Sequence, residues 1–183
     1  MRRFLFALVT LLFMNSLAAQ IDTVAMKKNI HSAMDSLQVL FKAKDWEKYA
    51  EFMHPDVITT LGGKGAFTEM LSSQMKMLDN LQIDVYRPGQ VMQLLKEGQQ
   101  YQGIVESFMQ MQVMGNMVSG TSYEIATSED GIKWNFTRID ERGPEGIKQI
   151  ISNLSNSLKF PKSKLVPGVT LEEFLKDYAI EYY

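Results

Sequence analysis

Hydrophobic positions follow a helical spacing through the first part of the chain. Over residues 21–44, apolar side chains recur at intervals of three and four, which predicts a long amphipathic helix. Two shorter helices are predicted at 46–53 and 64–78, and the carboxylate of Asp45 is placed to cap the first of them. The β-branched run at 57–61 predicts a short strand between these two helices.

The character of the sequence changes after the third predicted helix, where apolar and β-branched segments are separated by turn-forming dipeptides. Pairs such as Pro88-Gly89 and Asp130-Gly131 are typical of tight hairpins between antiparallel strands. Five strands are predicted, at 81–86, 90–96, 99–114, 118–127 and 132–140. Helices followed by a strand meander predict an α+β fold.

The chain continues beyond the predicted strands as a helical extension. A helix is predicted at 144–158, where a proline lies in the first turn, and a proline-containing linker is predicted at 160–168. A terminal helix over 170–183 begins with a capping box formed by Thr170 and Glu173. Its apolar face predicts docking on the rest of the chain, with a second subunit or a partner protein as the alternative.

The amino terminus has the pattern of a secretory signal peptide. Two arginines are followed by an apolar run over 4–14 and by small residues up to Ala19. This run is shorter than the roughly 20 apolar residues that a membrane-spanning helix needs, so an exported chain without a membrane span is predicted, either periplasmic or secreted. The predicted division is a signal peptide at 1–19, an α+β domain at 20–143 and a C-terminal helical extension at 144–183.

Composition narrows the classes of function. The chain has no cysteine, which excludes disulfides, thiol catalysis and lipid attachment at a cysteine. Its formal net charge is -2, so it lacks the basic footprint of a nucleic-acid-binding protein. The two histidines, His31 and His54, do not have a metal-binding spacing, and neither a metal nor another cofactor is predicted.

Two segments carry a resemblance to a known family. They are KAKDWEKYAEFMHPDV at 42–57 and GGKGAFTEML at 62–71. Together with the order of predicted elements over 21–140, they resemble the nuclear transport factor 2-like superfamily, which includes SnoaL-like cyclases and ketosteroid isomerase. The resemblance implies a cone, in which a strongly curved antiparallel sheet wraps three N-terminal helices, with a pocket at its wide end. The predicted C-terminal helices lie outside the resemblance. Because one scaffold hosts many functions, the resemblance alone does not decide the activity.

His54 is the first candidate for acid-base chemistry, because an imidazole titrates near neutral pH. It stands directly before Pro55, which cannot continue a helix and disfavours helical geometry at the residue before it. A histidine in that place is explained by the end of a helix, so a structural role is favoured over a catalytic one.

Glu106, Tyr123 and Asp140 are further candidates on the predicted strands. A carboxylate at Glu106 close to Tyr123 or Arg138 would match what the resemblance implies for isomerases, namely a carboxylate base and a hydroxyl that stabilises an oxyanion. Asp140 shares a predicted strand face with Arg138. An ion pair on the solvated face of the sheet is the simpler interpretation of these charges, and it is favoured.

Methionine is frequent, with 13 residues in the chain. Because its side chain is flexible and polarizable, a methionine-lined cavity can adapt to apolar ligands, although core filling is the favoured explanation and copper(I) binding is a further alternative. Aromatic residues and methionines on the facing elements are predicted to line an apolar pocket. These residues are Trp46, Tyr49, Phe67, Met109, Met111 and Trp134.

The predicted function is non-catalytic binding of a small apolar or amphipathic molecule, or of another envelope protein, at the mouth of the cone. A homodimer is compatible with this function. The interpretation is favoured because no convergent set of acidic and basic groups stands at a recognisable spacing. The alternative is a SnoaL-like or isomerase-like enzyme that works by general acid-base proton transfer.

Overall fold

The computed structural model describes residues 22–77 and 82–183, and in these the chain forms an α+β fold. The helices are α1 (Thr23–Ala43), α2 (Trp46–Tyr49) with a 3₁₀ turn at Ala50–Phe52, α3 (Pro55–Thr60), α4 (Lys64–Met77), α5 (Gly143–Ile150) and α6 (Leu171–Lys176). The strands are β1 (Gln82–Glu97), β2 (Gln100–Val113), β3 (Asn116–Ser128), β4 (Asn135–Arg138) and β5 (Lys164–Pro167). The predicted α+β class is confirmed, and the predicted signal peptide lies outside the described residues.

Helix α1 is long because both of its ends are capped and one face is mostly apolar. The side chain of Asp22 accepts a hydrogen bond from the Ala25 N–H at 3.0 Å, and Lys44 ends the helix in the left-handed region at φ 57°. The buried side chains recur every three or four residues, at Met26, Ile30, Met34 and Leu37. The predicted long helix is confirmed, and none of the described helices has an apolar stretch long enough to cross a bilayer.

The two predicted shorter helices are also confirmed. Asp45 caps α2 as expected, since its carboxylate accepts a hydrogen bond from the Lys48 N–H at 3.2 Å. Gly62 and Gly63, at φ 89° and 95°, turn the chain into α4. The predicted last residue of this helix, Leu78, lies outside the described residues.

The strand predicted at 57–61 is wrong, because these residues lie mainly in α3. Pro55 occupies the first helical turn, where its missing N–H costs no hydrogen bond. His54 Nδ1 accepts a hydrogen bond from the Asp56 N–H at 3.2 Å, and Thr59 Oγ1 donates to the Pro55 carbonyl at 3.0 Å. Pro55 in the first turn and the cap at His54 are start signals that outweigh the small helix penalty of β-branched side chains.

Three long strands form the body of the sheet. β1, β2 and β3 pair antiparallel in sequence order, and β4 and β5 pair with successive parts of the other edge of β3. Tight turns close the two long hairpins, one at Gly98 with φ 60° and the other at Met114 and Gly115 with φ 52° and 80°. Positive φ at both positions of the second turn matches the twist of the flanking strands.

The turn predicted at Pro88-Gly89 is wrong, because both residues lie inside the continuous strand β1. β1 ends the described strand order, and a proline without an N–H to donate is tolerated in such an edge strand. The register shifts between Pro88 and Val91, which absorbs the irregularity. A Cβ atom at position 89 would stand 2.9 Å from Glu106 Cγ and from Phe108 Cε2, so these side chains would have to shift to accept any other residue.

Three predicted segments near the carboxyl end also need correction. The strand predicted at 132–140 is limited to β4, and the helix predicted at 144–158 ends as α5 at residue 150. The linker predicted at 160–168 contains strand β5, which extends the sheet beside β3. A sequence of four residues with a proline at its end is too short for a strand signal to stand out.

Helix α5 ends early because side chains of the sheet bind the backbone that follows it. Gln102 Oε1 accepts a hydrogen bond from the Ser155 N–H at 2.8 Å, and Gln102 Nε2 donates to the Asn153 carbonyl at 2.9 Å. Gln93 makes the same kind of pair with both backbone groups of Lys159. The segment can therefore lie flat on the sheet without a helical hydrogen-bond pattern.

The terminal helix begins where predicted and ends earlier. Thr170 and Glu173 form the predicted capping box, and α6 stops at Lys176. Leu171 and Phe174 are buried, and α6 packs against β2 and β3. This helix therefore docks on its own chain.

Both faces of the sheet are covered. The inner face packs α1 against strand residues that include Val91, Val105, Ala126 and Phe136. The outer face packs Ile104, Tyr123 and Ile125 against α5 and the segment that follows it. The inner face continues beyond the α1 core, and the candidate site lies there.

Candidate functional site

A cavity of about 880 Å³ lies between the helices α1 to α4 and the inner face of the sheet. Helix α4 and the start of α3 form one wall, and β1 to β4 form the other. Most of its lining is apolar. Five methionines contribute to the walls, namely Met53, Met70, Met75, Met109 and Met111. Methionine side chains can change conformation at low cost, so the shape of this wall can adjust to different apolar groups.

A polar cluster lies at the sheet side of the cavity, and Glu124 is its centre. Ser107 Oγ donates a hydrogen bond to Glu124 Oε2 at 2.9 Å, and Ser122 Oγ lies 3.5 Å from Glu124 Oε1. Arg138 is the cross-strand partner of Glu124 on β4, and its Nη2 donates to Ser122 Oγ at 3.2 Å. Glu124 is 5 % exposed, so the carboxyl group is almost removed from solvent.

Burial raises the pKa of Glu124, because the surrounding protein solvates its charged form poorly. The positive charge of Arg138 and the hydroxyls of Ser107 and Ser122 oppose this rise in the pKa. Glu124 is therefore a carboxyl group whose proton is held more tightly than in water. Such groups in a cavity are candidates for proton transfer as well as for ligand recognition.

Two tyrosines flank the cluster and line the cavity. Burial raises the pKa of Tyr49 to about 12, and the charge of Glu124 adds to that effect while Arg138 opposes it. Burial also raises the pKa of Tyr86 well above its usual range. Both hydroxyls are thus neutral hydrogen-bond donors at physiological pH. Their rings pack against Phe41, with centroid distances of 5.8 and 6.0 Å, which fixes their orientation.

The rim of the cavity carries an ion pair and the end of the chain. Arg142 binds Asp140 through two guanidinium nitrogens, and this hydrogen bonding lowers the pKa of the Asp140 carboxyl. Tyr183 also lines the cavity, and its hydroxyl donates to the Asp140 carbonyl at 3.2 Å. The Tyr183 N–H donates to the Phe160 carbonyl, so two hydrogen bonds hold this residue at the rim.

Comparisons with protein-family models, curated proteins and solved structures find no match to this chain. The chemistry of the cavity residues therefore carries the functional inference.

Four of the six predicted pocket residues line the cavity, namely Tyr49, Phe67, Met109 and Met111. Trp46 and Trp134 do not. Trp46 stands behind the wall, with its ring edge-on to Phe41 at 5.5 Å. Trp134 is buried in the α1 core, where its Nε1 donates to the Gly131 carbonyl at 3.2 Å.

His54 stands at the start of α3, where it caps the helix. Burial lowers its pKa, and the nearby carboxylate of Asp56 partly offsets that effect. It does not line the main cavity, but it borders a separate polar recess of about 380 Å³. The local geometry agrees with the structural role that the sequence favours.

Glu106 and Tyr123 are cross-strand partners. The favoured interpretation of Glu106 as part of an ion pair on a solvated face is wrong, because Glu106 is 3 % exposed and forms no ion pair among the described residues. Both residues lie away from the cavity, since Tyr123 belongs to the outer-face core and Glu106 alternates with the inner residue Ser107. The Tyr123 hydroxyl has no hydrogen-bond partner among the described residues. Of the four predicted acid-base candidates, Asp140 is the one that lines the cavity.

Sequence reasoning missed Glu124, and alternation along β2 alone could only have excluded Glu106 from the same face as the methionines. The residues Ser107, Met109 and Met111 share a strand face, so a pocket lined by these methionines cannot also contain Glu106. The acid on the neighbouring strand that shares their face is Glu124. Within residues 22–77 and 82–183, no group of three histidine or acidic side chains is arranged to hold a metal ion.

Proposed function

We propose that the protein is an exported binding protein that holds a small apolar or amphipathic molecule in the inner cavity. The observation that supports this function most directly is the cavity itself, whose apolar walls converge on one polar cluster around Glu124 and Arg138. Ligand sites in proteins are typically concave and mostly apolar, with volumes of about 300–1,000 Å³ and a few placed polar groups. A volume of about 880 Å³ is within that range.

The scaffold is proposed to be of the nuclear transport factor 2-like type. The order of helices α1 to α4 followed by antiparallel β1 to β4 supports this proposal, as does the position of the cavity between them. The export of the protein, to the periplasm or beyond the cell, rests on residues 1–19 and is also a proposal. An envelope protein as the partner is the less favoured alternative, because an inward-facing cavity suits a small molecule better than a protein surface.

The binding function is tested with N-phenyl-1-naphthylamine, a neutral apolar dye whose emission rises in apolar surroundings. We expect saturable binding that Met111→Trp weakens at least about tenfold, because the larger side chain would occupy part of the cavity and crowd the dye. Met114→Trp is the matched control, since Met114 is 79 % exposed at the tip of the same hairpin. Absence of saturable binding, or an equal effect of both variants, would count against the proposed function.

A second candidate function is proton-transfer catalysis in the same cavity. The observation that favours it is the buried carboxyl group of Glu124 in a cavity that Tyr49 and Tyr86 also line, because an acid with a raised pKa can exchange a proton with a bound carbon acid. The test is hydrogen-deuterium exchange at the α-carbon of a cyclic ketone, followed by NMR in D₂O. Exchange that is catalysed by the wild type and lost in Glu124→Gln would support this function, and equal rates in both proteins would refute it.

A further inference from the structure

We propose that the cavity selects ligands with one anionic head group, a carboxylate in particular, and that Arg138 is the residue that binds it. This inference rests on the proposed binding function and adds the chemical class of the ligand. Its basis is the hydrogen bonding of the charged groups at the cavity.

Most of the guanidinium N–H groups of Arg138 have no hydrogen-bond acceptor among the described residues. Of the N–H groups of its guanidinium, Nη2 donates to Ser122 Oγ, and the described residues provide no further acceptor for the side chain. The side chain is exposed and lines the cavity. A guanidinium with a free edge binds a carboxylate through two parallel hydrogen bonds, a geometry that a lysine cannot provide.

The other charged groups at the cavity are already satisfied or solvated. Arg142 is bound by Asp140, so this pair contributes little net charge at the rim. Glu124 accepts hydrogen bonds from the hydroxyls of Ser107 and Ser122. Glu141 is exposed at the rim, where water and salt screen its charge.

The neutral groups beside Arg138 are also donors. Tyr49 and Tyr86 also line the cavity, and the guanidinium charge of Arg138 lowers the pKa of both hydroxyls, against the larger effect of burial. A ligand oxygen at this point would therefore meet a cation and the Tyr49 hydroxyl, while the Tyr86 hydroxyl is already hydrogen-bonded to Ser107. The methionine wall provides the place for the apolar body of the same molecule. The ligand that matches this site is a carboxylic acid with a single apolar chain or ring system.

The experiment compares three compounds with the same chain, namely dodecanoate, dodecan-1-ol and dodecyltrimethylammonium. Displacement of N-phenyl-1-naphthylamine from the wild type is measured for each compound, at concentrations below the critical micelle concentration of that compound. We expect dodecanoate to bind at least roughly tenfold more tightly than the other two. Arg138→Gln should abolish that preference, with the affinity for dodecanoate expressed relative to that for dodecan-1-ol in the same variant. Arg138→Lys should retain a part of it, because the charge remains and the fork is lost.

Arg87→Gln is the matched control. It removes the same charge from the sheet. Arg87 lies over the ring of Phe108, which is next to the cavity residue Met109 on β2 and therefore faces the opposite side of the sheet. This variant should keep the preference for dodecanoate. Circular dichroism and thermal unfolding of each variant establish that it is folded.

The outcomes separate this inference from the proposed function. If the dye binds but dodecanoate and dodecan-1-ol compete equally well, or if Arg138→Gln keeps the preference, the inference is wrong and the binding function stands. A preference for the ammonium compound would also overturn it, and would identify Glu124 as the selecting group. If neither the dye nor any of the three compounds binds, the binding function fails, and the inference fails with it.

Discussion

Glu124 and Arg138 lie directly opposite each other on β3 and β4, and the hydroxyl of Ser122 connects them. Arg138 donates to this hydroxyl, and the hydroxyl faces the carboxyl group of Glu124. The arrangement moderates the cost of burying an acid, because a charge without a partner in such surroundings is strongly unfavourable. It also leaves the remaining donors of Arg138 available to the cavity.

The stability of the fold should depend on pH through Glu124. Burial raises the pKa of Glu124 above its ordinary value of 4.5, so the folded state binds more protons than the unfolded state. The stabilisation that this residue adds to the free energy of unfolding is therefore fully present below pH 4.5, and it is lost as the pH rises through the folded-state pKa. Glu124→Gln should remove this decline in the free energy of unfolding, measured with urea at a series of pH values. The exposed Glu172→Gln should follow the wild type, and parallel pH curves for wild type and Glu124→Gln would contradict the assignment.

His54 should matter for stability and not for binding. His54→Ala removes the cap of α3 and should lower the free energy of unfolding by about 1 kcal/mol. His54→Asn should retain most of the stabilisation, because asparagine is also a good capping residue. Because burial lowers the pKa of His54, its contribution is present above pH 6.5 and is lost as the pH falls through the folded-state pKa. The affinity for the neutral dye should not change. A loss of dye binding at an unchanged melting temperature would reverse this view.

Gly120 should be essential for the pairing of β5 with β3. A Cβ atom at this position would collide with the backbone of Lys164 and Leu165, which cannot move away like a flexible side chain. Gly120→Ala should therefore lower the free energy of unfolding by about 2 kcal/mol or more. Gly65→Ala is the control, because nothing lies near its Cβ position in α4 and alanine favours helix by up to about 1 kcal/mol. If urea unfolding shows equal effects, the described approach of β5 is incorrect.

The terminal helix should stabilise the domain through Phe174. This side chain is 7 % exposed and stacks on Tyr178 at a centroid distance of 5.0 Å. Phe174→Ala should cost about 3 kcal/mol, measured by urea unfolding. Tyr182→Ala should cost much less, since Tyr182 is 46 % exposed. If both changes are neutral but the oligomeric state in sedimentation changes, α6 serves an interface between chains instead.

Regular patterns in the sequence predicted the features that depend on local spacing. The apolar spacing of α1 and the cap at Asp45 depend on neighbouring residues, and both predictions are confirmed. The alternation along β2 correctly divides residues such as Val105 and Ile104 between the two faces of the sheet. These features follow from the geometry of a single helix or strand.

The remaining features depend on contacts between distant segments. The end of α5 is set by Gln102, which lies far away in sequence and binds the following backbone. The site cluster likewise needs the register of three strands, since Ser107, Glu124 and Arg138 meet only when β2, β3 and β4 are paired. A single sequence does not contain that register in any local pattern.

The five methionines of the cavity wall give the molecule a chemical sensitivity. An oxidant that converts a thioether to a sulfoxide turns a flexible apolar side chain into a polar one. Met70 and Met111 stand on opposite walls, so their oxidation would make both sides of the cavity hydrophilic. The same side chains that let the wall adapt to different apolar groups would then release them. Under the proposed binding function, the affinity for an apolar ligand would therefore fall after oxidation, and reduction of the sulfoxides would restore it.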